Sequence, residues 1–241
     1  MSPAGAEERA GEGPPTAVVT GAARGLGLHL AGHLTGRGFD VLCVVRSSAD
    51  AARIGAVTMR PVVGDVRDPA LGRRLAALVG DGAVDLLVHN AGVGHPPHTL
   101  RELPPDDVLE SVSTHCLGPL RLTQALLPAL CRSSRATVLH VSSRWGSFAA
   151  AAEDGPGARH YAYRIGKAAQ NMMSLCLRQE LAGHGIRVAA VHPGALRTAM
   201  GAADATEDPA TAALELVRLV LAEHREDLPP FMSRAGDPHP W

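Results

Sequence analysis

The sequence predicts an α/β fold: one domain built on a doubly wound parallel sheet of about seven strands, with helices on both faces. Three observations predict it. Short apolar runs bounded by turn residues alternate with amphipathic stretches of helical spacing along the chain. A glycine-rich turn joins the first apolar run to the first helical stretch. The 241 residues are 46% hydrophobic, enough for one sizeable core, and no repeat or linker-like composition divides them. Residues 15–241 are therefore expected to form the domain. Residues 1–14, MSPAGAEERAGEGP, are small, polar and acidic and read as a flexible tail.

Taken in order, TAVVT (16–20) has the pattern of a short buried strand. GAARGLG then leads into LHLAGHLTGRG, which has helical spacing and a glycine stop. DVLCVV (40–45) is strand-like, and MRPVVGD (59–65) supplies a third strand. DPALGRRLAALV (68–79) is amphipathic behind an Asp cap. VDLLVHNAG (84–92) reads as a strand and a turn. Residues 105–132 form one long helix pattern, with Pro119 and Pro128 as local irregularities. ATVLHVSS (136–143) is a strand, 159–185 a long helix ended by glycine, IRVAAVHPG (186–194) a strand and 208–224 a helix. Strands alternating with helices imply a parallel sheet covered on both faces, and right-handed crossovers make it doubly wound. Ligands of such sheets sit at the carboxyl ends of the strands.

Composition narrows the partners. A formal net charge of −1 gives no reason to expect nucleic acid or an anionic membrane. There is no apolar run of about 18 residues to span a bilayer, and no signal-peptide pattern at the start. Cys43, Cys116, Cys131 and Cys176 are scattered in apolar contexts, so buried free thiols in a reducing cytoplasm are expected. His95, His98 and the other histidines lack metal-ligand company, and no metal is expected.

Chemistry gathers after the strands. In TGAARGLG, Gly21, Gly25 and Gly27 permit a tight turn and close approach of backbone to a diphosphate at a helix N-terminus, with Arg24 and Leu26 in the same turn. After the second strand stand Arg46, Ser47 and Ser48, without the acid that would accept from a ribose 2′-hydroxyl. Arg46 can pair bidentately with a 2′-phosphate, and Arg24 could clamp it from the other side.

Lys167 is the only lysine beside 22 arginines in a Lys+Arg total of 23, and it follows Tyr163 by four residues. Positions i and i+4 share a helix face. A nearby ammonium stabilises phenolate and is expected to lower the tyrosine pKa from its ordinary value near 10. The planar guanidinium is a poor substitute for a compact ammonium that must reach ribose hydroxyls. Tyr161, the only other tyrosine, has Ile165 at i+4 and is expected to line a pocket. Ser143 closes the fifth strand, where its hydroxyl can hydrogen-bond a carbonyl oxygen. Alternation points Ser142 the other way.

The Ser143 and Tyr163-x-x-x-Lys167 pattern, together with TGAARGLG, resembles the short-chain dehydrogenase/reductase family from about residue 16 to the end. TAMGAADA (198–205) and the final GDPHPW look most like its carbonyl-reductase-like, C-factor-related members. The resemblance implies a Rossmann-type fold with NADP(H) as cofactor. It implies that Asp65 and Val66 lie at the adenine and that Asn90, Ala91 and Gly92 line the cofactor. It further implies that Pro193, Gly194, Leu196 and Thr198 approach the nicotinamide. The implied reaction is reversible reduction of a small-molecule ketone or aldehyde, with Tyr163 as general acid/base, Ser143 polarising the oxygen, and Lys167 holding the ribose. The chain departs from the family at His115, where many members carry an asparagine that supports a water chain to the lysine. Histidine could carry protons there or be structural. This departure leaves open a non-redox dehydratase, cyclase or epimerase using the same tyrosine. A nucleotide-sensing protein is a further alternative, disfavoured by the intact Ser143, Tyr163 and Lys167.

The substrate pocket is expected from the 144–160 loop and a lid at 195–208. Trp145, Phe148, Tyr161, His95 and Met200 would make it mostly apolar, suited to a bulky or apolar carbonyl. The helices at 105–132 and 159–185 resemble those that pair subunits in family members, so a homodimer or homotetramer is expected.

Overall fold

The computed structural model describes residues 13–54, 59–155, 160–201, 204–222 and 228–241. The expected N-terminal tail falls outside these except for residues 13 and 14. Seven strands form one sheet in the order β3-β2-β1-β4-β5-β6-β7, and every pairing is parallel. They are β1 (Thr16–Thr20), β2 (Asp40–Val45), β3 (Met59–Val63), β4 (Leu86–His89), β5 (Thr137–Val141), β6 (Arg187–His192) and β7 (Phe231–Ser233). The helices are α1 (Gly25–Thr35), α2 (Ser48–Ile54), α3 (Ala70–Val79), α4 (Pro105–Val112), α5 (Gly118–Arg132), α6 (Phe148–Glu153), α7 (Tyr161–Leu181) and α8 (Pro209–Leu221).

The strands are apolar without alternation because both faces are covered. One face buries Val19, Cys43 and Val191 against Leu30 and Leu34 of α1 and Leu216 and Val220 of α8. The other buries Val18, Leu87 and Val138 against Leu71 and Leu75 of α3, Leu122 and Leu126 of α5, and Leu177 and Leu181 of α7. Each such leucine contributes roughly 1.5–3 kcal/mol relative to exposure. β3, at one edge, is the exception. It is mostly exposed and tolerates Pro61, which has no N–H to donate. The caps follow sequence. Asp68 accepts from the Ala70 amide at 2.8 Å, and Asp208 from the Thr211 amide at 2.9 Å.

Five features differ from the sequence reading. The single helix expected over 105–132 is broken into α4 and α5 by a π turn, Ser113–Leu117. Gly118 N–H reaches back to the Ser113 carbonyl there, and Pro119, with no amide and a bulky ring, follows at once. The loop expected over 144–160 contains a 3₁₀ turn, Arg144–Gly146, and the short α6. The seventh strand is Phe231–Ser233, and α2 follows β2 directly. Finally, only Cys43 is fully buried; Cys131 and Cys176 are exposed, because they lie on the solvent side of α5 and α7. No described helix is long and apolar enough to cross a membrane.

Candidate active site

The order of the sheet reverses between β1 and β4, and loops after the strands part there to leave a cleft. The cavity has a volume of about 880 Å³. One end is formed by the turn between β1 and α1. Gly27 packs so closely that a Cβ would lie 2.3 Å from the Gly21 carbonyl oxygen and 2.4 Å from Asn90 Nδ2. Asn90 Nδ2 donates to the carbonyls of Thr20 at 2.9 Å and Gly21 at 3.2 Å, so the turn after β4 is stitched to the turn after β1. Thr20, which sequence reading passed over, completes the stitch: its Oγ1 accepts from the Asn90 and Ala91 amides, each at 3.0 Å. Arg24 precedes α1 in extended conformation and makes no side-chain cap, leaving the first-turn amides for a ligand.

All residues expected at a cofactor line this cavity. Gly21, Arg24, Gly25, Leu26 and Gly27 form one wall, and Arg46, Asp65 and Val66 line the end beyond β2 and β3. Asn90, Ala91 and Gly92 lie along the middle, and Pro193, Gly194, Leu196 and Thr198 close the far side. Arg24 and Arg46 are exposed and neither makes a salt bridge among the described residues, although the Arg46 charge helps lower the Asp65 pKa. Asp50, an acid that also lines this end, accepts from the Ser47 hydroxyl at 2.9 Å and pairs with Arg53. Asp65 is held by Arg67, another residue not foreseen, whose guanidinium also reaches Glu110 at 2.7 Å. Hydrogen bonding from Arg67 lowers the Asp65 pKa.

At the reacting end, Tyr163 and Lys167 project from one face of α7. Lys167 Nζ is 5.6 Å from the Tyr163 ring centre. The Ser143 hydroxyl accepts from the Trp145 amide at 3.2 Å and pulls the Tyr163 pKa down, but Ser143 itself does not line the cavity, whereas Ser142 does. Ser142 points the other way and bonds buried Asn171. Lys167 is 4% exposed and sits in a polar socket, donating to the Val141 carbonyl at 2.8 Å and to Gln170 Oε1 at 3.0 Å. Gln170, at i+3 from the lysine, could have been found from that spacing.

The expected lowering of the tyrosine pKa is not what the protein's own groups produce. Burial pushes Tyr163 up to about 12, against a smaller downward pull from Ser143. Burial likewise pushes Lys167 down to about 7. Lys167 is therefore neutral in the range where the phenol titrates and lends it no charge there. His115, in the π turn, is fully buried with its ring edge-on to Tyr163 at 5.5 Å. Its Nε2 donates to the Val93 carbonyl at 3.0 Å, and burial, followed by Lys167, holds its pKa well below the ordinary value.

Of the expected substrate wall, His95 and Met200 line the cavity. Trp145 does not, but it stands edge-on to Tyr163 at 5.9 Å and stacks on His160 at 4.3 Å. Phe148 and Tyr161 are corrections: they are 73% and 40% exposed and do not line it, because α6 and the start of α7 turn them outward. Among the described residues no group of three His, Cys, Asp or Glu is placed to hold a metal.

Comparison with known proteins fits this geometry. The short chain dehydrogenase family profile matches residues 15–209. The chain is 35% identical over 169 residues to C-signal of Myxococcus xanthus, covering 70% of this chain and 99% of that protein. The fold matches NADPH-bound carbonyl reductase from chicken fatty liver with a TM-score of 0.84, covering 95% of this chain and all 100% of that one; at 24% identity this shows the fold. A Burkholderia multivorans protein assigned to the short-chain dehydrogenases/reductases, with bound NADP, matches at 27% identity and a TM-score of 0.78, covering 95% and 100% of the two chains. The chain belongs to the short-chain dehydrogenase family and is, at that level, an NAD(P)-dependent oxidoreductase.

Proposed function

We propose that the protein is a cytoplasmic NADPH-dependent reductase of ketones or aldehydes, running reversibly as an alcohol dehydrogenase. The observation that carries this reading is Tyr163 with Lys167 Nζ 5.6 Å from its ring centre, both residues lining the cavity. NADP(H) suits the residues present. Gly21 and Gly27, where a Cβ would fall 2.8 Å and 2.3 Å from neighbouring backbone, suit close approach of a diphosphate, and the exposed Arg24 and Arg46 on the same cavity suit a 2′-phosphate. Asp50 is engaged by Ser47 and Arg53, which weakens it as an acceptor for a ribose 2′-hydroxyl.

When bound, the cofactor supplies a hydride from C4 of its nicotinamide. Tyr163, protonated at neutral pH, donates its proton to the carbonyl oxygen. Ser143 donates a hydrogen bond to the same oxygen and polarises it. Lys167 would hold the nicotinamide ribose, and its ammonium would favour the phenolate as the proton leaves. Burial raises Tyr163 from 10.0 to about 12, and a charged Lys167 would oppose that shift. His115, neutral and bonded to Val93, packs the tyrosine ring and does not titrate near pH 7. Met200, over Gly92 and Gly94, makes the substrate end apolar, which favours a bulky or apolar carbonyl. Free thiols such as buried Cys43 suit a reducing cytoplasm.

The test is oxidation of NADPH followed at 340 nm with a panel of ketones and aldehydes, beside NADH. Turnover with NADPH and at least one carbonyl is expected. Substrate conversion without change in absorbance would instead indicate a non-redox reaction at the same tyrosine.

A further inference from the structure

β7 brings to the Pro193–Gly194 turn, behind the cavity wall, a residue that its sequence pattern does not reveal. Arg234 follows β7 directly, beside the carboxyl end of β6. Its Nη1 donates to the Pro193 carbonyl at 3.1 Å and also meets the Glu207 carboxylate. Its Nε donates to Glu215 Oε2, on α8, at 2.5 Å. Glu207 in turn accepts the Ala195 amide on Oε1 at 3.2 Å. The Glu207 backbone is bonded in both directions to the same stretch: its N–H donates to the Ala195 carbonyl at 3.1 Å, and its carbonyl accepts the Arg197 N–H at 2.9 Å. One guanidinium fork therefore ties the Pro193–Gly194 turn to the far end of the 195–208 segment and to α8.

Gly194 lies against this clasp. Its φ is +95°, and a Cβ there would fall 2.2 Å from Glu207 Oε2 and 2.4 Å from Arg234 Nη1. The base of the segment is fixed while its tip spans the cavity. Thr198 approaches Gly25, and Met200 approaches Gly92 and Gly94. Lysine could not replace the fork, since the three acceptors are met by nitrogens of one rigid plane.

We propose that Arg234 is a positioning residue for the nicotinamide end of the cofactor. Acting with Glu207, it holds the 193–198 backbone at the height where Ser143 and Tyr163 work. The inference rests on the reading of this cavity as a dinucleotide site.

The experiment compares full-length wild type, Arg234→Met and Arg234→Lys for binding of NADPH and of 2′,5′-ADP, a probe of the adenosine end alone. Arg234→Met is expected to weaken NADPH about tenfold or more, the effect of losing charge-assisted hydrogen bonds, and to lower kcat, while 2′,5′-ADP binds as before. Arg234→Lys, which keeps the charge and loses the fork, should fall between. Glu207→Gln should change NADPH binding in the same direction and increase proteolysis within 199–205. Unchanged NADPH binding and turnover in Arg234→Met would overturn the inference, as would an equal loss of both ligands. Wild type that binds neither ligand would overturn the dinucleotide reading and this inference with it.

Discussion

Lys167 shows why one lysine stands among so many arginines. Its socket, the Val141 carbonyl and Gln170 Oε1, matches a compact ammonium that donates in two directions. It also asks for a cation that burial can bring to about 7, which arginine cannot do. The i, i+4 pairing with Tyr163 was legible in the sequence, as were the opposite directions of Ser143 and Ser142, since both follow from local periodicity. The direction of the tyrosine shift was not legible, because desolvation depends on what the rest of the chain lays over the ring. Thr20 escaped for a related reason: it acts through Asn90 and Ala91, partners brought close only by folding. At the adenosine end, Arg46 carries a specific expectation. Arg46→Ala should weaken NADPH by about 10–100-fold, the range of a charge-assisted pair, and leave NADH nearly unaffected. Equal affinities for NADPH and NADH in the wild type would contradict the phosphate role of Arg24 and Arg46.

The long, strongly patterned elements were readable, and the short ones were not. β1, β2, α7 and α8 match their sequence patterns because apolar runs and caps specify them locally. β7 has three residues and exists by pairing with β6, Ala190 to Phe231 through His192 to Ser233, a tertiary event. The π turn is invisible to a 3.6-residue count, since apolar spacing continues on both sides of it. α7 also presents an outward face. Tyr161, Ile165 and Met172 are 40%, 43% and 59% exposed on one side of it, beside Leu109 of α4 at 64%. Such an apolar stripe on a helix is the pattern of a self-association surface. We therefore expect a homo-oligomer in sedimentation, and dissociation or weakened assembly in Met172→Glu; a monomeric wild type would contradict this.

At the scale of the molecule, the parallel order β3-β2-β1-β4-β5-β6-β7 places every working loop on one edge of the sheet. The same sheet buries histidines. His140 is held at about 3 and His192 at about 4, and His89 and His115 lie well below the ordinary value, in each case chiefly through desolvation. Folded values below the unfolded value of about 6.5 mean that the unfolded chain binds more protons in this window. Stability is then fully present above about pH 6.5 and is lost as pH falls, by up to about 1.4 kcal/mol per pH unit for each histidine. Denaturant midpoints should drop steeply between pH 7 and 5, ahead of the carboxylate range; equal midpoints at both would contradict the burial of neutral imidazoles. The central claim, hydride transfer to a carbonyl with Tyr163 supplying the proton, is tested most directly by isotope transfer. NADPH deuterated at the transferring C4 position is incubated with a carbonyl substrate, and the alcohol is analysed by mass spectrometry. The account predicts deuterium in the product from the wild type and almost none formed by Tyr163→Phe. Product free of deuterium from the wild type, or undiminished transfer by Tyr163→Phe, would contradict it.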